Sequence, residues 1–294
     1  MPATKKIQLL APAKLNLFLH IVGQRTDGYH LLQSVFQLID WCDLITLELT
    51  DNQQIEYLTP LPGVVAADDL IVKAAQLIKA FSGAQAGVSI SLEKNIPIGA
   101  GLGGGSSDAA AVLLGLNYLW GLNLDLSTLT QLGLKLGADV PFFLFGKNAF
   151  VEGIGEQLQE IELFPKAYLV IFPGRPIPTA AIFQAPQLTR DHAPITINDY
   201  LDAPLSENIF SNDCQTVAIQ ICPEVQQALD WIALMLPCSK PSMSGSGSSV
   251  FVALADSLAN DRANELCRQL PKGWVGRVAE GLNQNSAYNS ISSK

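Results

Sequence analysis

Pro97-Ile98-Gly99-Ala100-Gly101-Leu102-Gly103-Gly104-Gly105-Ser106-Ser107-Asp108 is the stretch that decides the fold. Five of the seven residues from 99 to 105 are glycine. Without Cβ atoms the backbone can close around a ligand, and successive N–H groups can converge on an anion. The apolar run that follows predicts a helix over residues 106–120. Its unpaired N–H groups and positive dipole end add to the same anion site. The combination suits a triphosphate, several of whose oxygens must be held at once. The plain alternative is a flexible loop capped by Ser106, in which so many glycines would cost backbone entropy with no return in packing.

Two other phosphate-binding patterns fail on context. Gly99, Gly101 and Gly104 spell G-x-G-x-x-G, but a dinucleotide site needs that pattern directly after a buried parallel strand. Here Glu93, Lys94 and Asn95 separate the loop from a short alternating strand at 88–92. Asp125 lies at a suitable distance downstream, yet no strand precedes it. A P-loop would need Lys where Gly105 follows Gly104.

Working outward, Leu15, Leu17, Leu19 and Ile21 alternate with Lys14, Asn16, Phe18 and His20, which predicts a strand with Lys14 and Asn16 on one face. Two strand-like stretches follow at 35–49, divided around residues 40–43. Helical spacing predicts helices over 69–81 and 127–136, the second stopped by Gly137. Residues 150–163 read as a hairpin turned at Gly153 and Gly155. Beyond a Pro-rich segment at 172–202, helices are predicted at 210–221, 224–235 and 258–270, with strands at 168–172, 250–254 and 274–279. A second Gly/Ser loop occupies 242–249. Strands and helices mixed without βαβ repetition predict an α+β protein of two domains, 1–165 and 166–294.

The bulk numbers bound the function. The 294 residues are 48% hydrophobic and 15% charged, a globular composition with ample core. The net charge of −9 comes with no basic stripe, which argues against nucleic acid. Local dipoles must therefore hold a phosphate against an unfavourable overall charge. No apolar run reaches the roughly 20 residues of a membrane helix. Residues 1–6 contain no apolar signal segment, so a bacterial cytoplasm is expected, with a trimmed plastid protein as the alternative. The five Cys are scattered, odd in number and without a Cys-x-x-Cys pair, which predicts reduced thiols. The three His do not cluster with them, so no zinc site is expected.

Two charged residues stand out. Asp139, in Gly137-Ala138-Asp139-Val140-Pro141, can cap a short apolar helix running to residue 145. It can also accept a proton from a substrate hydroxyl that attacks a γ-phosphorus, and the two roles are compatible. Lys14 either points to solvent from its strand or, if its face lines a cleft, orients Asp139 and offsets negative charge on the reacting oxygens.

Together these segments resemble the GHMP kinase family (galactokinase, homoserine, mevalonate and phosphomevalonate kinases). The phosphate loop is Pro97 through Ser107, and the family's third motif is similar to Met243-Ser-Gly-Ser-Gly-Ser-Ser249. Ala11-Pro12-Ala13-Lys14-Leu15-Asn16-Leu17, Arg25-Thr26-Asp27-Gly28-Tyr29-His30, Gly137-Ala138-Asp139-Val140-Pro141-Phe142 and Glu152-Gly153-Ile154-Gly155-Glu156 resemble the branch acting on a diphosphocytidyl-linked methylerythritol. The resemblance covers nearly the whole chain.

The resemblance implies a two-domain fold with the active site in the inter-domain cleft, and transfer of a phosphoryl group from ATP to the 2-hydroxyl of that alcohol in non-mevalonate isoprenoid synthesis. It implies Lys14 and Asp139 as the catalytic pair. It implies Pro97, Ile98, Gly99, Ala100, Gly101, Leu102, Gly103, Gly104, Gly105, Ser106 and Ser107 as the ATP phosphate loop. Asn16, Tyr29, His30, Phe36, Thr179 and Phe183 are implied on the substrate side, where aromatic rings can stack on a cytosine and His30 can meet the base edge. Mg²⁺ is expected to travel with ATP, with Ser106 or Ser107 as the nearest hydroxyls and no dedicated carboxylate cage. The partner is thus a small cytidine diphosphate-linked alcohol, with neither nucleic acid nor membrane, and the oligomeric state is left open. Alternatives are a GHMP kinase for another alcohol and a ligand-binding protein of the same fold without catalysis.

Two positions depart from the family. Asp69 stands where Asn is frequent, placing a carboxylate on the expected adenosine side. Gln215 stands where an acidic residue is common, with little consequence expected.

Overall fold

The computed structural model describes residues 5–65, 67–202, 211–255 and 257–292. It opens with a long antiparallel hairpin, β1 (Lys6–Gln24) and β2 (His30–Thr50). Next come β3 (Ile55–Tyr57), α1 (Leu70–Ser82), β4 (Gly87–Glu93), α2 (Gly104–Leu119), α3 (Leu126–Leu134) and α4 (Val140–Phe145). β5 (Ala149–Glu152), β6 (Gln157–Glu160), β7 (Ala167–Phe172), α5 (Thr179–Phe183), α6 (Ile197–Asp202), α7 (Gln215–Ile221) and α8 (Glu224–Met235) follow. The chain ends through β8 (Ser242–Met243), β9 (Val250–Ala253), α9 (Ser257–Cys267), β10 (Val275–Leu282) and α10 (Ala287–Ser292).

β2 is the central ladder. It pairs with β1 along nearly its whole length, with β4 through Leu44–Thr50 and with β5 through Ser34–Phe36. β10 then joins this group to a second one: Gly281 and Leu282 pair with β2, while Val275–Glu280 pair with β7, which continues to β9 and β8. Strands and helices are thus mixed as an α+β architecture.

The two strand stretches expected at 35–49 are one strand. The apparent break is a bulge: Pro12 faces Cys42 but Ala13 faces Ile39, so Asp40 and Trp41 bulge out of the pairing with β1. The first half of β1 alternates, with Lys6, Gln8 and Leu10 exposed and Ile7 and Leu9 buried. From Ala11 to Ile21 both faces are covered, and Lys14 and Asn16 are only 4% and 1% exposed. The face carrying Lys14 is therefore not a solvent face.

α2 lies between that sheet and α1 and is buried on every side from Ser107 to Leu116. Its run of Ala109, Ala110 and Ala111 with Gly115 permits the close approach. A Cβ at Gly115 would stand 2.4 Å from Leu47 and 2.8 Å from Leu9. The helix starts two residues before the expected 106, because Gly103 at φ 72° turns the chain and takes the N-cap place. Ser106 therefore lies inside the helix and does not cap it.

The helix expected at 210–221 begins at Gln215, where Asn212 Oδ1 accepts the Cys214 N–H. Residue 210 lies outside the described residues. β3 and α10 had no expectation, being three and six residues long with weak periodicity. All five Cys are free, and no helix among the described residues is long and apolar enough to cross a membrane.

Candidate active site

The glycine loop, the β1 face carrying Lys14, and the loop before β9 enclose a cavity of about 650 Å³. Pro97 through Ser106 line it, while Ser107 sits behind them, buried, its N–H bonded to Gly103 O at 2.9 Å. Three loop glycines are in the left-handed region, Gly99, Gly101 and Gly103. A Cβ at Gly101 would lie 2.5 Å from Ser244 O and 2.8 Å from Gly247 O. One at Gly103 would meet Phe143 at 2.9 Å and the Lys14 side chain at 3.1 Å. The glycines are thus demanded by tertiary contact as well as by conformation. Gly103 has no side chain to cap α2, which leaves the first amides of that helix for a ligand.

The second Gly/Ser loop clasps the first. Ser244 Oγ accepts from Asn16 N and donates to Gly101 O, both at 3.1 Å, and Ser249 N donates to Ala100 O at 3.0 Å. Asn212 holds the clasp from behind, its amide donating to Met243 O and Gly245 O.

Asp139 occupies the N-cap place of α4, as its sequence context suggests, but its side chain makes no capping bond. Its Oδ2 instead stands 3.5 Å from Lys14 Nζ. The Lys14 side chain is 5% exposed and that of Asp139 33%, so a buried ammonium backs a carboxylate that still reaches the cavity. Lys14 is also hydrogen-bonded to Asn16 Oδ1 and lies 4.4 Å from the Phe36 ring centroid. Asn16 donates its amide to Ser34 Oγ at 3.0 Å, which fixes the orientation of both.

Of the remaining expected substrate residues, Phe36, Thr179 and Phe183 line the cavity, and Thr179 Oγ1 meets Ser246 Oγ at 2.9 Å. Tyr29 and His30 do not line it. Tyr29 is 59% exposed on the turn before β2. His30 is buried beside Phe183, their ring centroids 5.1 Å apart. Burial, and then the Arg190 guanidinium, hold the His30 imidazole below its ordinary value.

In the sequence Lys94 is only a spacer between the strand at 88–92 and the glycine loop. Its Nζ contacts Asp43 Oδ2 at 2.5 Å and Asp108 Oδ2 at 2.7 Å, and a Cβ on Gly104 would lie 3.1 Å from it. Asp43 Oδ1 also accepts from the backbone N–H groups of Asn95 and Ile96. The cluster anchors the start of the glycine loop to β2 and α2. Burial pushes the Asp108 carboxyl up, against the pull of Lys94. No local signal could have found this cluster, because its members come from three elements. Asp69 caps α1 by accepting the Ile71 N–H at 2.9 Å and also lines the cavity.

With the overall charge at −9, and with Lys14 and Lys94 each facing carboxylates, the α2 N-terminus and the amides of the glycine loop supply the local positive potential an anion requires. Next to it stands a carboxylate with access to the cavity. That arrangement defines the class, a small-molecule phosphotransferase site. The model of the GHMP kinases N terminal domain matches residues 69–147. The 4-diphosphocytidyl-2-C-methyl-D-erythritol kinase of Polynucleobacter asymbioticus is 61% identical over 289 residues, covering 98% of each chain. That of Burkholderia mallei is 50% identical over 284 residues, 95% of each. A crystal structure of 4-(cytidine 5'-diphospho)-2C-methyl-D-erythritol kinase superposes with a TM-score of 0.80 at 33% identity, covering 94% of this chain and all of that one. The chain belongs to the 4-diphosphocytidyl-2-C-methyl-D-erythritol kinase family, within the GHMP kinases.

Proposed function

We infer that this chain is an ATP-dependent kinase that phosphorylates the 2-hydroxyl of 4-diphosphocytidyl-2-C-methyl-D-erythritol, a step of non-mevalonate isoprenoid synthesis. The observation that carries the reading is the 3.5 Å approach of Lys14 to Asp139 in the cavity that the glycine loop lines.

Asp139 is assigned as the base that takes the proton from the attacking hydroxyl. Lys14 is assigned to steady Asp139 and to offset negative charge on the attacking and transferred oxygens. Residues 97–106, with the α2 N-terminus, would hold the triphosphate, with Ser107 supporting them from behind. Mg²⁺ enters with ATP as part of the substrate. Its preference for oxygen fits the Ser106 hydroxyl, which lines the cavity in the first turn of α2. Asn16, Phe36, Thr179 and Phe183 form the acceptor side, with Tyr29 and His30 beside it.

The cavity is read as the cleft between two domains divided near residue 165. Lys14 and Asp139 lie on one side of that division, and Thr179, Phe183 and Gly245 on the other. A bacterial cytoplasm is the proposed location.

The test is ADP release from Mg·ATP with the diphosphocytidyl substrate, beside homoserine and mevalonate. Release with the cytidyl substrate alone supports the assignment. Release with either control alone keeps the kinase and overturns the acceptor. No release from a folded protein that binds ATP overturns the catalytic reading.

A further inference from the structure

Arg190 lies outside the cavity wall and belongs to none of the motifs above. Its guanidinium makes five hydrogen bonds, one for each N–H it carries. Nε donates to His30 Nε2 at 3.0 Å. Nη1 donates to Leu188 O at 2.9 Å and Pro186 O at 3.4 Å. Nη2 donates to Ala185 O at 2.9 Å and Phe183 O at 3.2 Å. One cation therefore gathers the carbonyls at the end of α5 and ties them to the first residue of β2, 160 positions away in the chain. The two rings it ties together, His30 and Phe183, are neighbours at 5.1 Å, and Phe183 lines the cavity.

The bond to His30 fixes more than position. A ring nitrogen that accepts carries no proton, so the neutral ring keeps its proton on Nδ1. Arg cannot surrender a proton to reverse this choice, and its planar fork holds one orientation.

We propose that Arg190 is a positioning residue for recognition of the substrate base: it locks His30 in the Nδ1–H tautomer beside Phe183, so that the ring offers a hydrogen-bond donor to an acceptor on the edge of a pyrimidine such as cytosine. Cytosine carries two such acceptors, O2 and N3. In the opposite tautomer Nδ1 would turn a lone pair toward them. Burial and the Arg190 charge, which both hold His30 below its ordinary value, keep the ring neutral at neutral pH. This rests on the reading above that His30 and Phe183 serve the cytidyl side.

The first test needs no substrate. Long-range ¹H–¹⁵N correlation spectra of the free wild-type protein report the tautomer of each of its three His, with His30 assigned from H30Q. The Nδ1–H pattern at neutral pH is expected, and an Nε2–H or doubly protonated His30 overturns the proposal. The second test is steady-state kinetics of R190Q and R190K. KM for the cytidyl substrate should rise about tenfold, the effect of one lost polar contact. kcat and KM for ATP should stay within about twofold. An unchanged KM for the cytidyl substrate in R190Q overturns the proposal. Should R190Q not fold, R190K and the wild-type tautomer decide. If the wild-type protein does not phosphorylate the cytidyl substrate, the functional reading fails, while the spectra still judge the link between Arg190 and His30.

Discussion

Lys14 Nζ lies 3.5 Å from Asp139 Oδ2, although one residue is in the middle of a strand and the other at the start of a short helix. The lysine is buried and the carboxylate keeps access to the cavity, so the pair is anchored from the protein side and open on the other. Replacing Asp139 by Asn should lower kcat by about 10³-fold, in the usual range for a lost general base. KM for ATP should stay nearly constant, since the triphosphate is assigned to the loop. A single-turnover assay with a separate ATP-binding titration measures both, and a D139N enzyme with most of its rate would remove Asp139 as the base.

Gly101 is expected to tolerate no side chain. It sits at φ 76°, with carbonyl oxygens 2.5 and 2.8 Å from where its Cβ would be. G101A should cost about 2 kcal/mol or more from left-handed strain and the enforced shift. Because the shift spreads the two clasped loops, ATP affinity should fall with stability. Denaturant unfolding and nucleotide titration on the same sample test whether the two losses go together.

Lys94→Met leaves Asp43 and Asp108 buried without their shared cation. Breaking a buried ion network from one side costs about 3–5 kcal/mol. The loss should be largest in mild alkali and shrink as pH falls through about 7, where Asp108 takes up a proton. A K94M protein as stable as the wild type would show that water already solvates the cluster.

Asp69→Asn keeps an oxygen to cap α1, because Asn and Asp are similar N-caps. It removes a negative charge from the cavity that also holds the glycine loop. KM for ATP should fall about twofold at low salt, and the difference should narrow as salt rises. Helix stability, followed by thermal melting, should hardly change.

His30 gives a pH dependence of defined sign. Its folded value is depressed below the unfolded one, by burial first and Arg190 second. The contribution of the neutral ring to stability is therefore complete above the unfolded value of about 6.5 and is lost as pH falls through the folded value. Melting temperatures of wild type and H30N, compared from pH 8 down to pH 5, should converge as the pH falls.

The sequence alone determined the local chemistry. Glycines crowded from 99 to 105 can serve few purposes but close backbone approach, and a helix after them places its amides at one spot. The strand with Lys14 and the helices near 70, 128 and 224 were legible because their periods, 2 and 3.6, are fixed by backbone geometry. Bulges, short elements and helix starts set by distant partners were not legible, as β2, β3 and α7 illustrate. Only the tertiary structure decided which groups meet. It covered the face of β1 that bears Lys14, turned Asp139 from capping to facing that ammonium, and made Lys94 and Arg190 into hubs. Each of those outcomes depends on residues far apart in the chain, 160 positions for Arg190 and His30 and 228 for Asn16 and Ser244, whose contact follows from the packing of whole strands and helices and leaves no periodic trace in the chain.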